Sequence, residues 1–124
     1  VDESSTYLLA RTLVNEAGVC GIMGMVAVAY VWTRNKVMYG SYGPVEPTDD
    51  ALFVARYWSE FPDYSRGAKF VFSDEDLRDW RVQNIIRNHG PPWRMECAGG
   101  LGLNFVGSRP QRALLDRPWV TYIR

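Results

Sequence analysis

Leu8-Leu-Ala-Arg-Thr-Leu-Val-Asn-Glu-Ala17 carries apolar side chains at helical spacing, and the chain then passes through Gly18 and Cys20 into a second apolar run. Leu9, Thr12 and Leu13 precede Glu16 by seven, four and three residues, so all four share one helix face. The spacing predicts a first helix from about residue 6 to residue 15 or 16. Ser4 or Ser5 would be its N-cap, Asp2 and Glu3 would lie near its positive end, and Gly18 would terminate it. Glu16 thereby ends a largely apolar stripe. A second helix is predicted over residues 22–35. Ile22, Met25, Val26, Ala29, Trp32 and Thr33 form its inner face, and Ala27 and Ala29 are small enough for a neighbour to approach. It is apolar nearly all round until Arg34, the pattern of a central, buried helix.

The rest of the chain arranges itself around this pair. Residues 37–47 hold Gly40, Gly43, Pro44 and Pro47 and read as a loop. Thr48, followed by Asp49 and Asp50, caps a third helix that runs through Trp58 and stops before Pro62. Residues 68–73 alternate, with Phe70 and Phe72 on one face, as a short strand does. Ser73-Asp-Glu-Asp76 has the form of a capping arrangement. It introduces a predicted fourth helix that reaches Asn88 with Leu77, Trp80, Asn84 and Ile85 on one stripe, and Gly90-Pro-Pro92 ends that helix. Ala98-Gly-Gly-Leu-Gly-Leu103 reads as a flexible lead into a strand at 103–106, and a last strand is predicted at 119–123. The expected fold class is α+β, mostly helical, with a small β-sheet, in one domain spanning 1–124.

Composition narrows the function. Fourteen Lys+Arg balance fourteen Asp+Glu, so the formal net charge is zero. That argues against partners chosen by bulk charge, such as nucleic acid or an anionic membrane. No uninterrupted run of about 20 apolar residues marks a membrane span. With 47% hydrophobic and 23% charged residues the chain is a folding one, and 14% aromatic residues would suit a carbohydrate cleft or an ordinary core equally. Cys20 and Cys97 are either joined in one long-range disulfide or are two buried thiols. With a single His, no metal-ligand spacing and no cofactor motif are present. The chain begins at Val1 and reads as a processed form or an excised domain whose targeting segment lies elsewhere.

Glu16 is the residue that points to chemistry. A carboxyl at the end of an apolar face is partly desolvated, which raises its pKa and suits it to act as a general acid near neutral pH. Cleavage of a glycosidic bond needs such a donor for the leaving oxygen. The plain structural reading is a solvated Glu, although its place at a helix C-terminus opposes the helix dipole.

Residues 8–17 and 24–35 together resemble the cell-wall hydrolases that include bacterial spore cortex-lytic enzymes. That family has a helix ending in Glu-Ala-Arg-Gly-Glu, then Gly-Gln-Val-Ala-Val-Ala and a closing Asn-Arg. Here Gly24-Met-Val-Ala-Val-Ala29 fits the middle segment, Arg66-Gly-Ala-Lys-Phe-Val-Phe-Ser73 is similar to a later Gly-Ala strand, and Pro91-Pro-Trp93 to a Pro/Trp turn. The second motif Glu falls on Cys20, the Gln on Met25, and the closing pair is inverted as Arg34-Asn35. The resemblance implies a lysozyme-like fold that cleaves peptidoglycan glycan strands. It implies Glu16 as the catalytic residue, no cofactor, and an extracellular or cell-envelope setting, bacterial or phage-borne.

Two mechanisms are open. A hydrolase needs a second carboxylate, with Asp49, Asp50, Glu60, Asp63, Asp74, Glu75, Asp76 and Glu96 as candidates. A lytic transglycosylase needs only Glu16, and one well-placed Glu without an obvious partner favours that route. Candidate sugar contacts are Tyr64, Phe72, Ser73, Trp93 and Asn104, with Phe70 and Phe105 as further rings. The alternatives are a non-catalytic peptidoglycan-binding module on the same fold and a cysteine peptidase pairing Cys20 or Cys97 with His89. A monomer is expected.

Overall fold

The computed structural model describes residues 3–35 and 45–108. The element order is α1 (Glu3–Ala17), α2 (Gly21–Asn35), α3 (Asp49–Tyr57), β1 (Phe70–Ser73), α4 (Trp80–His89), β2 (Trp93–Glu96) and β3 (Gly102–Val106), with short 3-10 turns at Gly18–Cys20, Trp58–Glu60, Glu75–Arg78 and Ala98–Gly100. The protein is α+β and mostly helical, with one three-stranded antiparallel sheet. The strand predicted at 119–123 lies outside the described residues, as does most of the loop over 37–47.

The core is α2 with α1 and α3 packed against it and against each other, and the sheet closing one side. Met25, Val26, Ala27, Val28 and Ala29 are all buried, which is what an all-round apolar helix requires. Leu9, Leu13 and Ala17 from α1 and Val54 and Ala55 from α3 complete the cluster. Ile22 departs from its predicted inner place and is 37% exposed. It stands in the first turn of α2, ahead of the buried segment. Residues 5–34 hold an 18-residue window apolar enough to cross a membrane, with a mean hydropathy of 1.6. The stretch is broken by the Gly18–Cys20 turn into two helices that pack on each other, and half of that window is buried inside the fold.

Helix starts were set by local hydrogen bonds. α1 is described from Glu3, so Ser4 and Ser5 lie within the helix. Thr48 caps α3 as predicted, its Oγ1 accepting the Ala51 N–H at 3.1 Å. Ser73 and Asp76 do form a reciprocal capping pair: the Asp76 N–H reaches Ser73 Oγ and the Ser73 N–H reaches Asp76 Oδ2, each at 3.2 Å. They open only the 3-10 turn Glu75–Arg78. α4 starts afresh at Trp80, capped by Asp79 Oδ1 accepting from the Arg81 N–H at 2.8 Å. The predicted stripe on α4 is therefore displaced. Leu77 precedes the helix, Trp80 is 75% exposed, Asn84 is exposed, and Val82 is the buried residue.

β3 is the middle strand, and all five of its residues are buried. It pairs Phe70↔Val106 through Ser73↔Leu103 with β1, and Trp93↔Phe105 through Glu96↔Gly102 with β2. One face (Val71, Trp93, Met95, Leu103, Phe105) joins the core. The opposite face carries Phe70, Phe72, Asn104 and Arg94. Pro91 and Pro92 lead directly into β2, which begins at Trp93, and the glycine-rich lead holds a 3-10 turn at Ala98–Gly100 spanned by the Cys97 N–H on Leu101 O at 2.7 Å.

Cys20 and Cys97 form a disulfide, with Cα atoms 4.6 Å apart across 77 residues of chain. This resolves the choice left open by the sequence. Gly24 makes room for it, since a Cβ there would overlap that of Cys20. In the chain-entropy model a loop of this length stabilises the fold by at most about 4.5 kcal/mol. The paired Cys20→Ser/Cys97→Ser variant should therefore lose several kcal/mol in urea unfolding. A loss below about 1 kcal/mol would show that the loop is not held by this bond.

Candidate functional site

Glu16 stands in the last turn of α1, and the Gly18–Cys20 turn then folds the chain back into α2. This corner forms one wall of a cleft of about 300 Å³, through Val14, Glu16, Val19 and Cys20. The other wall is the end of the sheet: Ser73, Asp74 and Glu75 after β1, and Leu101, Gly102 and Leu103 entering β3. Val19 and Leu101, each 53% exposed, give the mouth an apolar lip.

The two carboxyls that matter have opposite surroundings. Glu16 keeps solvent access at the mouth while the walls crowd its carboxyl. That partial desolvation, and secondarily the negative charge of Asp76, raise its pKa above the ordinary Glu value. Asp74 is held down to about 2 by hydrogen bonds from Arg94 and then Asn104. Its Oδ1 accepts from Arg94 Nε at 3.0 Å and from Asn104 Nδ2 at 2.8 Å, and its Oδ2 accepts from Arg94 Nη2 at 2.8 Å. A carboxylate with that many strong donors is a weak base and a weak nucleophile. Of these two carboxyls in the cleft, Glu16 is the one whose proton is held more tightly than in a free Glu, the direction a general acid needs.

The remaining candidates fall elsewhere. Asp49 and Asp50 occupy the first turn of α3 and Glu60 a 3-10 turn. Asp63 pairs with Arg34 and accepts the Ser65 N–H at 2.9 Å. Asp76 belongs to the Ser73 capping pair, and Glu96 meets Arg94 at 3.5 Å. Only Asp74 and Glu75 of the eight line the cleft.

Of the predicted sugar contacts, Ser73 lies in the cleft with Glu16. The others do not line it. Trp93 is not exposed on a loop but sits on β2, stacked on Phe105 at 4.7 Å, with Nε1 donating to Ser108 Oγ at 3.0 Å and Arg66 over its ring. Tyr64 packs against the core, and Phe72 stacks on Phe70. Asn104 is 2% exposed and spends its amide on Asp74 and on Phe72 O at 3.2 Å, so it supports the cleft wall from behind. His89 packs edge-on against Phe70. With both cysteines in the disulfide, neither supplies the thiol that a cysteine peptidase needs.

Sequence reasoning missed Arg94, Val19, Leu101 and Gly102. The alternation Trp93-Arg-Met-Glu96 was the available signal for a strand that would carry Arg94 to the face opposite the core. No protein-family model, curated protein or solved structure matches the chain.

A raised Glu16 makes stability depend on pH in a definite direction. The folded protein binds this proton more tightly than the unfolded chain does, so stability is greatest below the ordinary Glu pKa and falls as pH rises through the raised value. Glu16→Gln should therefore melt higher than wild type near pH 7, with the gain vanishing below about pH 4. Equal melting temperatures near pH 7 would contradict a desolvated Glu16. Asp74 runs the other way. Its contribution is present above 3.8 and is lost as pH falls toward 2.

Proposed function

We propose that this protein cleaves the β-1,4 bond between MurNAc and GlcNAc in peptidoglycan glycan strands, as a lytic transglycosylase with Glu16 as acid and then base. The observation that carries the reading is the contrast within one cleft: a Glu16 whose pKa partial desolvation raises, and across from it an Asp74 already committed to Arg94 and Asn104. A one-carboxyl mechanism needs a proton donor and no second base, which fits that contrast.

Protonated Glu16 donates to the bridging oxygen as the bond to the anomeric carbon breaks, and GlcNAc departs with a free 4-hydroxyl. An oxocarbenium-like centre develops on MurNAc. Ionised Glu16 then takes the proton of the MurNAc 6-hydroxyl as that oxygen bonds to the anomeric carbon. A 1,6-anhydro end results, no water is consumed, and Glu16 is reprotonated for the next cycle. The helix-borne acid facing the end of a small sheet is consistent with the lysozyme-like organisation that the sequence resemblance implies. A disulfide of this span is at home in an oxidising compartment, which supports an extracellular or cell-envelope setting.

Incubation of wild type and Glu16→Gln with purified peptidoglycan, followed by mass spectrometry of soluble fragments, tests this. Anhydromuramic ends from wild type are expected, falling by at least about a hundredfold in the variant. Reducing ends formed with water would replace the transglycosylase by a hydrolase, with Glu75 the carboxylate to examine next. Binding without release by either protein would leave a non-catalytic glycan-binding module.

A further inference from the structure

Arg94 is placed at the junction of everything that forms the sheet-side wall. It lies on β2 directly across from Asn104 of β3, in the row that also holds Phe72 of β1. Its guanidinium grips both oxygens of Asp74, donates through Nη2 to Gly100 O at 2.9 Å and meets Glu96 through Nη1 at 3.5 Å. It does this from a seat over Gly102, where a Cβ would collide with Nε, Cζ and Nη2 together. Asp74 and Gly102 both line the cleft. One side chain thus ties the turn after β1, the turn after β2 and the start of β3 into a single surface facing Glu16.

We propose that Arg94 is a positioning residue for the Glu16 cleft: seated on Gly102 and forked onto Asp74, it fixes the wall opposite Glu16 and balances the Asp74 charge that this wall carries. The proposal rests on the glycan-cleaving reading only for its consequence in turnover. Its electrostatic part stands without substrate. The acidic groups that share the cleft with Glu16 or act on its carboxyl are Asp74 and Glu75 in the opposite wall and Asp76 in the same turn, while Arg94, touched by Glu96 on its other nitrogen, holds Asp74. Withdrawing the cation leaves the negative charge of Asp74, still hydrogen-bonded by Asn104, without a counter-charge, so that the Glu16 proton is held more tightly.

Gly102 provides an independent handle. The atoms that a methyl group would strike belong to the end of a flexible side chain, so Gly102→Ala should unseat the guanidinium at little cost to the fold. Titration of the Glu16 side-chain carboxyl by NMR, without ligand, is the test. In Arg94→Gln and in Gly102→Ala the midpoint should move upward from wild type, and in the double variant Arg94→Gln/Asp74→Asn it should return toward wild type. A residue that merely stabilises the fold would give no such return. On peptidoglycan, the single variants should lose roughly tenfold or more in kcat/KM as the wall loosens. An unchanged Glu16 midpoint in both single variants, or no return in the double variant, overturns the proposal. A normal set of titrations with no glycan release by wild type would instead overturn the glycan-cleaving reading and leave the role of Arg94 in place.

Discussion

The Cys20–Cys97 bond joins the two walls of the cleft. Cys20 closes the turn that follows Glu16, and Cys97 stands between β2 and the Ala98–Gly100 turn, after which Leu101 and Gly102 line the cleft. Neither the Gly18–Cys20 turn nor the Ala98–Gly100 turn contains a fully buried residue. The covalent link fixes them to each other, and α2 fixes both to the core. Gly24 is the point where these two constraints meet, because only a residue without a Cβ lets Cys20 lie so close on the first turn of α2. Glu16 inherits its surroundings from this junction: its helix ends where the disulfide-bearing turn begins.

Charge is arranged within that frame by hydrogen bonding. The protein has no net charge and no single-sign surface implied by composition, so its electrostatics are local. Asp74 and Glu16 line one cleft and are driven apart in proton affinity by different causes: donors aimed at Asp74, crowding and a nearby negative charge for Glu16. Separating two titratable groups in this way is how one site assigns an acid. Here the separation leaves Asp74 too well satisfied to serve as a nucleophile. The proposed one-carboxyl mechanism, in which the substrate supplies its own attacking hydroxyl, asks nothing of it.

Much of this was legible in the order of residues. The all-round apolar run after Gly24 required a buried central helix, and Thr48 with two following aspartates required a helix start. The stripe of Leu9, Thr12 and Leu13 correctly placed Glu16 at the end of a core-facing row. What failed depended on partners distant in sequence. Ser73 and Asp76 satisfied each other as the pattern promised, yet Asp79 captured the next helix start, so Trp80 was left outside the core. Trp93 was read from its two preceding prolines as a loop residue, whereas pairing with β3 drew it into the sheet and onto Phe105. Asn104 stood among the candidate sugar contacts. Its amide instead meets Asp74, thirty residues away, a pairing that no local pattern encodes.

The central claim is that glycan binds between the α1 corner and the end of the sheet. Chemical-shift mapping of ¹⁵N-labelled Glu16→Gln with a soluble GlcNAc–MurNAc oligomer tests it most directly, because the inactive variant leaves the ligand intact. Perturbations concentrated at residues 14–20, 73–75 and 101–103 are the predicted result. Perturbations centred on Tyr64, Arg66 and Trp93, with the Glu16 corner unaffected, would contradict it.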